Sequence, residues 1–204
     1  MLKMISEDFS LVLVRNRLIS EEDREVYIYG IELLLASIGT TFALIFLGIL
    51  FKQLEFTVLF MLIMMTVRAY SGGYHANSYS RCFLVTCLGD LVGMFLNTRL
   101  LPSIRLGGSI IFLIVALVVL GMVGSLNSQK NPKTQQEMKK RKRNVRLLIS
   151  FDVGLACFFI LRDSKVYGED YFAIAYTLFF ITILMVIALL QRRYFYEGME
   201  RKSS

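Results

Sequence analysis

Apolar runs separated by short polar stretches dominate the chain. Six such runs follow the first thirty residues, at about Ile31–Phe51, Phe56–Val67, Phe83–Leu101, Ile104–Leu126, Leu147–Leu161 and Tyr171–Leu190. A helix that crosses a bilayer needs about 20 mostly apolar residues. The first, third, fourth and sixth runs meet that length. The second holds about twelve residues and is expected to borrow Leu54 and Ala69-Tyr70, or to stop below the membrane surface. The fifth is also short. Pro102 is expected to end the third run, because proline disfavours helix at the residue before it. Residues 1–29 read differently: Phe9, Leu11, Val12, Leu13, Val14, Leu18 and Ile19 are interleaved with Arg15 and Arg17, as in an interfacial amphipathic helix. Ser20 is expected to cap a second helix there, with Glu21, Glu22 and Asp23 at the positive end of its dipole. The pattern predicts an all-α membrane protein: six transmembrane helices plus an amphipathic N-terminal interfacial region, in a single domain 1–204. Within it, 31–126 forms the first four spans, 127–146 a basic loop, 147–190 the last two spans and 191–204 a tail.

Composition agrees. The chain is 55% hydrophobic with a mean hydropathy of +0.57, above the roughly 45–50% apolar share of soluble domains. No cleavable signal peptide is expected, since the first 25 residues hold ten charges and no small-residue cleavage site. The net charge of +7 would suggest nucleic acid in a soluble protein. Here the charges lie between apolar runs, so they read as topology signals and contacts to anionic membrane lipids, with no nucleic-acid partner. With six spans, one side receives the N-terminus, the 68–82 segment, the 127–146 loop and the tail, which carry eighteen Lys and Arg; the other side receives five. This bias predicts that both termini are cytoplasmic.

The chemistry concentrates in a polar island, residues 68–82, between the second and third runs. It reads Arg-Ala-Tyr-Ser-Gly-Gly-Tyr-His-Ala-Asn-Ser-Tyr-Ser-Arg-Cys and holds the single histidine, His75. With one histidine and no CxxC pair, Cys82, Cys87 and Cys157 cannot build a standard zinc site, so no metal or cofactor is expected. Cys87 and Cys157, in apolar runs, read as packing residues. A free thiol, with a pKa of about 8.5, is a poor nucleophile until an imidazolium or a helix N-terminus favours its thiolate. His75 and Cys82 are the candidate base and nucleophile. On a continuous helix they would be about 10.5 Å apart along the axis, against the roughly 3–3.5 Å a working pair needs. A break between them is therefore expected, in a stretch where Gly72 and Gly73 free the backbone and Asn77, Ser78 and Ser80 favour turns, with a new helix starting within a few residues of Cys82. Arg68 and Asp90 are candidate intramembrane charges. Arg68 could anchor a carboxylate, and Asp90 could orient His75 or pair with Arg68. The cluster Lys139, Lys140, Arg141, Lys142 and Arg143 reads as a topology determinant or as a dock for an acidic peptide.

Arg68-x4-Gly73-x-His75-x6-Cys82 resembles the signature of the accessory gene regulator B family of quorum-sensing membrane endopeptidases. Chain length, the six apolar runs, the amphipathic N-terminus and the Asn-Pro-Lys start of the basic loop are similar too. The resemblance implies a bacterial plasma-membrane cysteine endopeptidase acting on an autoinducing-peptide precursor with an amphipathic leader and an acidic tail. It implies Cys82 as nucleophile, His75 as general base, and Arg68 and Gly73 as supporting residues. The product would be a thiolactone or lactone ring still joined to its leader. Two other readings stay open on the residues alone: a small transporter with Arg68, His75 and Asp90 lining a polar path, and a non-catalytic membrane partner docked through the basic loop. Gly89, Gly93, Gly121 and Gly124 permit close helix contacts within one chain or in a homodimer.

Overall fold

A computed structural model describes residues 2–71, 79–125, 134–162 and 170–203. Seven helices account for nearly all of them: α1 (Leu2–Arg15), α2 (Arg24–Leu50), α3 (Leu54–Ser71), α4 (Tyr79–Arg99), α5 (Pro102–Val123), α6 (Gln135–Arg162) and α7 (Asp170–Ser203). Helices α2 to α7 each carry a stretch long and apolar enough to cross a membrane. The short second run does extend as expected, since α3 takes in Leu54 and Glu55 at one end and Arg68 to Ser71 at the other.

Side-chain pairs fix the directions. Phe56 of α3 meets Phe172 and Tyr176 of α7, and Phe60 meets Phe180, so α3 and α7 run parallel. Phe112 stacks on Phe179 at 4.3 Å, and Arg105 near the start of α5 bonds to Asn97, which also bonds to Gln53 just before α3, so α5 starts at the same end as α3 and runs parallel to it. Helix α4 runs against α3: Gln53, just before α3, bonds to Asn97, Thr57 to Asp90 and Arg68 to Cys82. The chain therefore reverses between Ser71 and Tyr79, and a single continuous helix through Cys82 is excluded. Successive spans alternate in direction, so Cys82, the end of α5 and the start of α6 share one end of the bundle.

Helix α7 is the centre. Tyr171 to Leu178 are all buried, packed by α3, α5, α6 and α4. Over half of its span (56%) is buried, against 11% of α2. The outer faces carry large apolar side chains such as Phe42, Phe46, Ile111 and Met122. Such a surface would aggregate in water and is the normal one in lipid.

Four expectations need correction. Ser20 does not cap α2. Its Oγ accepts from the Asp23 N–H at 3.2 Å and donates to Oδ2 of Asp23 at 2.7 Å, closing a turn ahead of the helix, whose N-cap is Asp23. The second interfacial helix is not separate either: Arg24–Tyr29 continues into the first span. The resulting helix of 27 residues is about 40 Å long, longer than the roughly 30 Å hydrocarbon core, and α1 packs along its first half through Ser6 and Ser10. The basic segment is not a loop from 135 onward. Thr134 and Glu137 form a capping box, with the Glu137 N–H donating to Thr134 Oγ1 at 3.4 Å and the Thr134 N–H to Glu137 Oε2 at 3.1 Å. The helix so started carries Lys139–Arg143 on its first turns and runs on as the fifth span. Finally, Cys157 faces outward among lipid-exposed residues, while Cys87 is buried as expected.

Candidate active site

Cys82 is the fourth residue of α4. Its carbonyl accepts from Thr86 Oγ1 at 2.9 Å, which ties the first turn to the second. Arg68, in the last turn of α3, reaches across the reversal and places Nη2 3.4 Å from Cys82 Sγ. Both side chains are half-buried. A guanidinium donor thus stands on the sulfur, a contact that strengthens when the sulfur is anionic. His75, Gly72, Gly73 and Asn77 lie outside the described residues.

Helix α4 owes its placement to small residues. Cys82, Thr86, Gly89 and Gly93 follow i, i+4, i+7, i+11 spacing and share a face. A Cβ on Gly93 would fall 2.5 Å from Tyr176 and 2.6 Å from Phe56, and one on Gly89 would overlap the Phe180 ring. The Tyr176 hydroxyl donates to the Gly89 carbonyl at 2.7 Å. Bare backbone lets α4 sit directly on the aromatic rings of α7, as small residues do in membrane packing. These glycines serve contacts within the chain. So does Gly124, at φ +68°, where Lys142 packs.

Asp90 is fully buried, and its partner is Thr57, whose Oγ1 donates to Oδ2 at 3.1 Å. The sequence left Asp90 open to orienting His75 or pairing with Arg68; the partner found is Thr57. Arg68 lies three turns further along α3, about 16 Å from Thr57 by helix rise, and it meets Cys82 instead. Asp152 is a second buried carboxyl that the sequence reading passed over. It lies on the face of α6 that buries Val145, Ile149 and Ala156, and its Oδ2 has no hydrogen-bond partner among the described residues. Its signal was available: an acid in the middle of an apolar run. At the far end of the bundle, Gln53, Asn97 and Arg105 bond together, with Arg105 Nη1 donating to the Asn97 carbonyl at 2.8 Å. No group of three or more potential metal ligands occurs among the described residues.

The basic cluster stands at the Cys82 end. Lys139, Lys140 and Arg143 are exposed, Arg141 and Lys142 half-buried, and Arg146 donates to the Gly121 carbonyl at 3.1 Å, covering the end of α5. A family model described as accessory gene regulator B matches residues 6–191. No curated protein and no solved structure matches the chain.

Proposed function

The chain belongs to the accessory gene regulator B family of quorum-sensing membrane proteins, and from that membership we propose that it is a cysteine endopeptidase that processes an autoinducing-peptide precursor. The observation that carries the reading is the Arg68 guanidinium on the Cys82 sulfur at the start of α4. A buried packing thiol has no use for a guanidinium donor, whereas a nucleophilic thiolate needs one or an equivalent positive group.

Cys82 Sγ attacks the carbonyl carbon of the peptide bond that precedes the acidic tail. A C–S bond forms, the C–N bond breaks, and the tail amine leaves with the proton that His75 took from the thiol. A cysteine within the bound precursor then attacks the thioester. It yields a thiolactone and returns the Cys82 thiol; a serine in that place yields a lactone. Thioester exchange is nearly balanced in energy, so ring closure depends on orientation and on keeping water away. Cys82, half-buried where α3 ends and α4 begins, suits that need. The precursor's amphipathic leader would lie on the cytoplasmic leaflet, where the eighteen-to-five charge bias puts this end of the bundle. Its acidic tail would meet Lys139, Lys140 and Arg143. A transporter would use Arg68, His75 and Asp90 as a polar path, and the complete burial of Asp90 against Thr57 weighs against that reading.

The test is intact-mass analysis of the protein in nanodiscs after incubation with a candidate precursor. A precursor-derived adduct on Cys82 and loss of tail release in Cys82→Ala are expected. Full processing by Cys82→Ala would overturn the proposal.

A further inference from the structure

In the middle of the α3–α4 pair, between Gln53–Asn97 at one end and Arg68–Cys82 at the other, the Thr57 hydroxyl lies 3.1 Å from Asp90 Oδ2 and 3.6 Å from Met94 Sδ, the carboxyl oxygen being the nearer and stronger acceptor. Apolar packing between the two helices includes Phe56 of α3 against the Gly93 backbone of α4. The rings of α7 meet α4 at Gly89 and Gly93, and the Tyr176 hydroxyl bonds to the Gly89 carbonyl, which ties α4 to α7 but leaves its rotation against α3 to the α3–α4 contacts. A directional bond to a fully buried carboxyl group resists that rotation. A rotation of α4 that separates Asp90 from Thr57 removes a hydrogen-bond donor from a fully buried carboxyl group, a loss that membrane interiors penalise heavily.

We propose that the Thr57–Asp90 bond is a positioning device that sets the rotation and depth of α4, so that Cys82 meets Arg68. The inference rests on the endopeptidase reading above. Asp90 is eight residues from Cys82, about 12 Å along the helix, so it acts through the helix and touches no reacting atom. A rotation of about 20° moves a Cα by roughly 0.8 Å at the helix radius and a side-chain tip about twice as far. Displacements near 1 Å caused by remote changes can cost about a hundredfold in rate. A third helix bears on the same point. A Cβ on Gly48 of α2 would lie 2.9 Å from Thr57 Oγ1 and 3.3 Å from the Leu54 Cα, so it would displace the hydroxyl without removing it.

The experiment measures precursor turnover and the rate of Cys82 alkylation by iodoacetamide in nanodiscs, with Cys157 replaced by serine in every protein. Asp90→Leu, Thr57→Val and Gly48→Ala are expected to lower kcat by about 10- to 100-fold, with KM within about threefold. Alkylation of Cys82 should slow in parallel. Asp90→Asn and Thr57→Ser keep an acceptor and a hydroxyl, and are expected to stay within about threefold of the parent. The double variant Asp90→Leu/Thr57→Val should lose no more than either single change, since both break one bond. Normal kcat in folded Thr57→Val and Asp90→Leu would overturn the proposal. So would losses that Asn and Ser fail to rescue, or that simply add. If Asp90→Leu does not fold, Thr57→Val and Gly48→Ala decide the matter by themselves. Failure of the endopeptidase reading shows separately, as processing that survives Cys82→Ala.

Discussion

Removing the Arg68 guanidinium should lower the reactivity of Cys82 before it costs the fold, if Cys82 acts as proposed above. Arg68 sits in the last turn of α3, half-buried, with Nη2 3.4 Å from Cys82 Sγ. A hydrogen bond to a charged partner contributes about 1.5–3 kcal/mol, and each 1.36 kcal/mol of barrier is tenfold in rate. Partial solvent access and the long contact place this bond near the lower end of that range. Arg68→Gln is therefore expected to lower turnover by roughly 10- to 30-fold, with a matching fall in iodoacetamide alkylation of Cys82. Arg68→Lys keeps a positive charge but loses the rigid planar fork, so it should fall between the two. The assay is tail release from a precursor in nanodiscs at fixed lipid composition, with alkylation followed by mass in a Cys157→Ser background. If Arg68→Gln kept both rates within about twofold of the parent, the Arg68–Cys82 contact would carry no weight in the proposed reaction.

Gly93→Ala should force α4 away from the Tyr176 and Phe56 rings; overpacking of this kind costs about 1–3 kcal/mol, and thermal unfolding in detergent should drop by several degrees. Thr134→Ala removes one half of the capping box and should cost about 1 kcal/mol, read as faster amide exchange confined to the first turns of α6. Neutralising exposed Lys139, Lys140 and Arg143 to Gln should weaken binding of an acidic tail peptide and flatten its salt dependence; affinity that ignores salt would refute a docking role. Lys142→Gln, by contrast, should show up in stability, because Lys142 packs on Gly124.

The six spans were legible in the sequence because a bilayer leaves a chain little choice: a crossing must be helical and about 20 residues long. The start of a helix near Cys82 was legible for a related reason. The polar island cannot stay in lipid, so the apolar run after it must begin a new span. Local polar signals were present but easy to pass over. Thr134-x-x-Glu137 is a capping box, and Asp152 is an acid inside an apolar run. What the sequence could not tell was which apolar face meets protein and which meets lipid, because both are equally oily and hydrophobic periodicity loses its meaning in a membrane. The central place of α7 was hidden for that reason. Gly89 and Gly93 were legible as sites of close helix contact, but neither the α7 rings they meet nor the use of Gly48 was. The partners of the buried charges were hidden as well: Arg68 and Cys82 are 14 residues apart, and Thr57 and Asp90 are 33. Only the antiparallel packing of α3 on α4 brings each pair within bonding distance. The sequence by itself determined the crossings, their number and the residue types available for chemistry. The tertiary structure decided which charge stands beside the sulfur, because that depends on how two smooth helices are held in register.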